Sequence, residues 1–289
     1  MKTIIIHIGI GKTGTTSLQQ FLNDNREPLK EAGFLYPLAG NVQNAHHDLC
    51  CLGPKIDWQK FETHYTNLLS EINSTNSATL ISSEYFSYTN PELIKFLKHV
   101  LSDFTVRIIF YARPQLDLIE SAYIQWHKVL NKQLYGEPIF TFFEKCIKAF
   151  DFNEVIKPWE IEFGQKSIQS SLYHKDIIGS DICQHFLNII GITDPEIGRK
   201  FMFPKQGANP SLHPLLLDTL IKVDKIGVFK GREAFVEDLL RASQKIKHIP
   251  YSFFTPEQED EIRDCYRESN GIFADKYLSL EEKELLLGM

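Results

Sequence analysis

Thr3–Gly9 is apolar and rich in β-branched residues, with no alternation of apolar and polar positions. That pattern predicts a strand buried on both faces, as in a parallel sheet, because an exposed face would impose a period of two. The period then changes. Thr16 or Ser17 can open a helix whose apolar stripe runs through Leu18, Phe21 and Leu22 to about Ala32 and stops at Gly33. The change recurs at Thr79–Glu84 (TLISSE), a short strand ahead of turn residues, with a helix predicted from Asn90-Pro91. Thr105–Ala112 (TVRIIFYA) predicts a third strand, broken at Arg113-Pro114 and followed by a long helix to about Val129. A fourth strand is predicted near Ser167–Tyr173.

Strands alternating with helices predict an α/β fold with a central, mostly parallel sheet flanked by helices. Residues from about Pro204 onward read mostly as helix, with loops at Pro204–Pro210 and His248–Pro250. No linker or internal repeat marks a boundary, so the expectation is a single domain over residues 1–289. Tyr36–Asp57, which holds Pro37, Gly40, His46, His47, Gly53 and Pro54, predicts a long loop or lid of the kind that usually carries function.

Composition narrows the classes. With 43% hydrophobic and 24% charged residues the chain can bury an ordinary globular core. The net charge of −6 comes with no long basic block, which argues against a general nucleic-acid binder. Five cysteines, two of them adjacent at Cys50 and Cys51, offer neither a disulfide framework nor a C-x-x-C zinc pair, and they fit a reducing compartment. The short run IIIHI leads into glycines rather than a cleavage site, and no window reaches the ~18 apolar residues of a membrane span. A soluble, cytoplasmic protein is expected; oligomeric state is not encoded in any pattern visible here.

The chemistry concentrates in HIGIGKTGTTSLQQFL, residues 7–22. Gly9, Gly11 and Gly14 spell G-x-G-x-x-G between strand and helix, but a dinucleotide fold also needs an acidic residue at the end of the second strand, roughly 20 positions on. Asp24 falls inside the predicted helix instead. The triphosphatase pattern G-x-x-x-x-G-K-[ST] would place its first glycine at Ile6, inside the strand. What remains is K-T-G-T-T-S: a lysine at a loop apex, a permissive glycine, and hydroxyls opening a helix. Amides and dipole at that N-terminus favour an anion, Thr13, Thr15, Thr16 and Ser17 offer hydroxyl donors, and Lys12 supplies a full positive charge.

Together with YARPQLDLIESAY, this loop resembles those of the sulfotransferases that use 3′-phosphoadenosine 5′-phosphosulfate (PAPS). In that family a lysine–glycine–hydroxyl loop holds the 5′-phosphosulfate, and a strand-end arginine with a serine on the next helix holds the 3′-phosphate. The resemblance assigns Gly11, Lys12, Thr13, Gly14, Thr15, Thr16 and Ser17 to the first role and Arg113 with Ser121 to the second. It runs from Met1 to about Gly191, including a helix ending in PWEIEFG (Pro158–Gly164) before the fourth strand. The arginine-lysine-glycine segment of the cytosolic small-molecule enzymes is not evident, and Lys230-Gly231 is a poor substitute, so the chain looks more like the bacterial and carbohydrate-modifying branches.

The resemblance implies a P-loop-like three-layer sandwich, a hydroxyl acceptor of carbohydrate or glycolipid type, adenosine 3′,5′-bisphosphate as product, and no metal. Lys12 then serves the leaving-group side. Glu84, at a strand end where open sheets place their ligands, is the first choice of general base, and it could instead cap the next segment or pair with a lysine. His46 and His47 are the other bases to weigh, since an imidazole suits proton abstraction near neutral pH. Tyr123, Trp126, His127, Tyr135 and Trp58 offer aromatic faces to an acceptor, although helical spacing also suits them to a core. Lys205 and Asn209 could reach the nucleotide from a later loop. Two other readings stay open: a P-loop nucleotide kinase or NTPase, and a nucleotide-binding relative without acceptor chemistry.

Overall fold

The computed structural model describes residues 1–129, 136–179, 181–204, 212–227, 229–246 and 252–288. Tyr135, Lys205, Asn209 and the loop at 248–250 lie outside them. Five strands form one sheet: β1 (Thr3–His7), β2 (Phe34–Leu35), β3 (Ala78–Ser82), β4 (Thr105–Ala112) and β5 (Ile168–Leu172). Their order is β2-β3-β1-β4-β5, and every pair is parallel. Chain progression turns back at β1, which lies between β3 and β4. Open parallel sheets bind ligands beyond the carboxyl ends of their strands at such a switch point.

The early helices are α1 (Thr15–Asp24), α2 (Arg26–Glu31), α3 (Trp58–Asn73), α4 (Pro91–Val100) and α5 (Gln115–Lys128). Then come α6 (Ile139–Cys146), α7 (Phe152–Phe163), α8 (Lys175–Ile178), α9 (Ile182–Ile190) and α10 (Pro195–Gly198). Beyond them follow α11 (Pro214–Ile226), α12 (Arg232–Ser243), α13 (Pro256–Tyr277) and α14 (Leu280–Leu287). The chain divides into two compact units. The first comprises Met1–Pro114, Asp151–Pro204 and the chain from Ser269 onward; the second holds Gln115–Phe150 and the stretch between Pro204 and Ser269.

In the first unit the sheet is covered on both faces. Ile5, Leu80, Ile109 and Tyr111 pack with Leu18, Phe21 and Leu22 of α1 and with Phe186, Leu187 and Ile190 of α9. On the other face Phe110 meets Phe152 of α7 and Phe273 of α13, each at 6.0 Å between ring centroids. This double cover explains why β1 shows no alternation: Ile4, Ile5 and Ile6 are all buried, at about 1.5–3 kcal/mol each.

Two local features depart from the sequence reading. The first helix breaks at Asn25, which is fully buried and turns its Nδ2 to the Phe21 carbonyl (2.8 Å) and the Met202 carbonyl (3.0 Å), while its Oδ1 accepts from Met202 N at 2.7 Å. Pro28, which lacks an N–H, would break an uninterrupted helix there. The two-residue β2 is too short to show any period.

The second unit is helical. Tyr123 and Trp126 of α5 pack on Phe142 of α6, and Phe143 packs on Tyr266 of α13. Arg232 is buried with Asp224, its Nε 3.0 Å from both carboxylate oxygens, and its two other nitrogens donate to the His127 and Lys128 carbonyls that end α5. Among the described residues no helix is long and apolar enough to cross a membrane.

Candidate functional site

The loop after β1 is shaped by left-handed residues. Gly9 (φ 98°), Lys12 (φ 69°) and Gly14 (φ 73°) all occupy that region, which costs an L-residue such as Lys12 roughly 1–2 kcal/mol. Gly14 is the N-cap of α1, and no side chain caps this helix end. A Cβ at Gly14 would lie 3.2 Å from both the Tyr173 ring and Ile182 Cγ2, a tight approach that adds to the preference for glycine set by φ. At Gly9 a Cβ would meet Ser87 Oγ at 2.8 Å and Glu84 Cα at 3.1 Å. The bare backbone at Gly9 therefore lets the Glu84 segment lie directly against the loop.

The hydroxyls divide by position. Thr13 is buried and donates to the Ile10 carbonyl, closing the loop on itself. Thr15 is buried, Ser17 half-buried and Thr16 exposed. Gly11 has no neighbouring atom where a Cβ would stand. Lys12 is half-buried, and its carbonyl accepts from Arg113 Nη1 at 2.8 Å. The Arg113 guanidinium also lies 5.8 Å from the centroid of Tyr173, the residue just past β5. Two segments a hundred residues apart in sequence thus meet at one point, through a bond that uses one of the five guanidinium N–H donors. Ser121, expected as the partner of Arg113, is half-buried on α5 in the second unit.

Glu84 begins a 3-10 turn, Glu84–Tyr88, directly after β3. It is partly buried, and its Oε2 accepts from Gln19 Nε2 of α1 at 2.7 Å. His47 lies alongside. Its Nδ1 and Ser83 Oγ are 2.8 Å apart, and its ring stacks on Tyr85 at 4.1 Å. Burial holds this imidazole below its ordinary range, against the pull of the Glu84 and Asp48 carboxylates. Tyr85 and Tyr88, both exposed, extend the aromatic surface on this turn.

His46 is built into the scaffold. It is fully buried, its Nδ1 accepts from Ser82 N at 3.1 Å and its Nε2 donates to the Pro37 carbonyl at 3.0 Å. Burial lowers its pKa to about 4. With both ring nitrogens engaged, His46 is a structural pin, which corrects the expectation of a base there. His7, at the end of β1, is equally buried, bonded through Nδ1 to Ser82 Oγ at 2.8 Å, with its pKa lowered to about 3 by burial.

The stretch from Tyr36 to Asp57 is no lid. Its backbone is tied to β3 through His46 N to Ser82 O (2.8 Å) and to Glu71 through the amides of Leu38 (2.8 Å) and Ala39 (2.7 Å). Further ties run to Tyr65, Thr89 and Asn90.

The expected aromatic platform disperses. Tyr123 is buried, with its hydroxyl on the Glu137 carbonyl at 2.8 Å. His127 is buried between the Tyr123 carbonyl (2.9 Å) and the Gly136 amide (3.1 Å). Trp58 packs edge-on to Phe96. Sequence reasoning passed over Gln19 and Tyr173. Gln19 carried one signal, a polar residue inside an apolar stripe; Tyr173 carried none beyond the end of a strand. A separate polar hollow of about 350 Å³ lies by β5, lined in part by Ser170, Ser171, His185 and Glu282. Its Glu282 carboxylate is already bonded to Ser171 Oγ, Leu172 N and Ser279.

No family model and no curated protein matches the chain. Among solved structures it is similar to a sulfotransferase from Alicyclobacillus acidocaldarius, at 15% identity over 86% of this chain and 98% of that one, with a TM-score of 0.44.

Proposed function

We propose that the protein transfers a sulfuryl group from PAPS to a hydroxyl of a carbohydrate or glycolipid-type acceptor. One observation carries this reading: the Arg113 side chain bonds the Lys12 backbone at 2.8 Å, so the two motif segments that would hold one doubly phosphorylated nucleotide stand side by side. The uncapped helix start after Gly14 suits the 5′-phosphosulfate, and Lys12 would offset charge on the bridging oxygen as it leaves. Arg113, with its planar fork of donors, would take the 3′-phosphate.

Transfer is an in-line displacement. The acceptor oxygen bonds to sulfur, the bond from sulfur to the bridging phosphate oxygen breaks, and the acceptor proton passes to a base. Glu84 is our choice of base because it borders both the loop, through Gly9, and the exposed Tyr85 and Tyr88, which offer faces for a sugar ring. His47 is the second choice.

Isothermal titration with adenosine 3′,5′-bisphosphate tests the reading. The expected result is tight binding, indifferent to chelator and weakened by Arg113→Ala. Preference for magnesium-ATP would instead make this a P-loop nucleotide kinase or NTPase. Nucleotide binding without transfer from labelled PAPS to any component of a mixed glycan pool would leave a binding protein only.

A further inference from the structure

Gln19 is out of character for its position. α1 buries Leu18, Phe21 and Leu22, and Gln19 is buried among them at 3% exposure. A buried amide is costly unless its N–H groups meet acceptors. Gln19 meets a carboxylate, Glu84 Oε2, at 2.7 Å. Because an ionised carboxylate only accepts, it is the amide nitrogen and not the oxygen that faces it.

Gln19 also sits about one and a half turns along α1 from the Gly14 cap. The same short helix therefore presents its N-terminal amides at one end and grips Glu84 a little further on. Both Gln19 and the loop are tied to one rigid element packed on the sheet.

We infer that Gln19 is a positioning residue for Glu84: it fixes the plane of the carboxylate by holding Oε2, so that Oε1 is the oxygen that receives the acceptor proton. Since α1 also begins at the anion loop, this helix sets the distance between donor and base. The inference rests on the reading of Glu84 as base, and its tests separate the two.

Gln19→Met keeps the length of the side chain and removes the donor. It should lower kcat ~10-fold while the KM values and the affinity for adenosine 3′,5′-bisphosphate stay within about twofold. In a Glu84→Gln background the same change should cost less than about twofold, because the residue it positions is already disabled. Losses that add across the pair, or a Gln19→Met enzyme at full rate beside a slow Glu84→Gln enzyme, would overturn the role of Gln19 alone. A Glu84→Gln enzyme at full rate would overturn the base and its holder together.

A spectroscopic readout needs no acceptor. In the free protein the Gln19 side-chain amide signals should shift on Glu84→Ala, while those of Gln20, which bonds Asp24, serve as the unmoved control. Gln19 signals that stay in place would also overturn the inference.

Discussion

Two stretches border the carboxyl ends of β1 and β3, and they differ in what they lead into and how they are held. The loop from Ile8 to Gly14 holds three left-handed residues, one of them a lysine, and leads into a helix end with no side-chain cap. The stretch from Tyr36 to Cys51 turns its polar groups inward: His46, Tyr36, Leu38 and Ala39 all bond within the protein. The second stretch holds three left-handed residues as well, Gly40, Gln43 and Asn44, so strain does not tell the two apart; the uncapped helix start does, because its amides suit an anion, whereas matched groups hold a scaffold in register. Both read as functional loops in the sequence, and of the two only the first leads into an α-helix start without a side-chain cap.

The largest expected effect breaks the loop. Lys12→Gly should cost ~10³-fold in transfer rate, about 4 kcal/mol of transition-state stabilisation. The same variant should melt at a higher temperature, since glycine relieves about 1 kcal/mol of left-handed strain at φ 69°. Opposite movements of rate and melting temperature would mark the lysine as functional; a fall in both would mark it as structural.

The scaffold should fail with acid instead. The His46 pKa is lowered in the fold to about 4 from an ordinary 6.5, so the unfolded chain binds the extra proton between those values. The stability contributed by neutral His46 is full above pH 6.5 and is lost as pH falls toward 4, a change of about 3 kcal/mol for this group. His7, lowered to about 3, adds a loss of the same sign that extends further into acid. Denaturant unfolding at a series of pH values checks this, and His46→Gln should flatten the curve over that range.

A smaller effect tests the crowding at the helix cap. Gly14→Ala should lower stability by roughly 1–2 kcal/mol, because the new methyl would meet Tyr173 and Ile182 at 3.2 Å in a backbone region that resists a side chain. Thermal melting measures it, and loss of bisphosphate affinity in parallel would show that the cap geometry serves the ligand as well.

The smallest effect lies within the second stretch, at His47 beside Ser83. His47→Asn should reduce transfer by less than ~5-fold if Glu84 is the base. A fall beyond ~100-fold, with nucleotide binding intact, would move the proton to the imidazole.

Much of the fold was open to inference from local pattern. Whether a residue is apolar decides whether water or protein surrounds it, so the unbroken run at β1 and the stripe on α1 announce buried strand and half-buried helix before any partner is known. The expectation for the loop was equally local, since a helix N-terminus favours anions wherever it lies. His46 and His47 show where local pattern stops. The two are identical side chains one residue apart, yet one is fully buried on Ser82 and Pro37 while the other lies half-buried beside Glu84.

What the amino-acid order determined by itself was therefore the set of buried faces and the tight turn that opens α1 at Gly14, because both follow from interactions within a turn or two of chain. Tertiary structure decided which side chains would meet: Arg113 on Lys12, Gln19 on Glu84, His46 on β3. Those contacts depend on strand order and helix placement, and hydrogen bonds act over 3 Å without regard to separation along the chain.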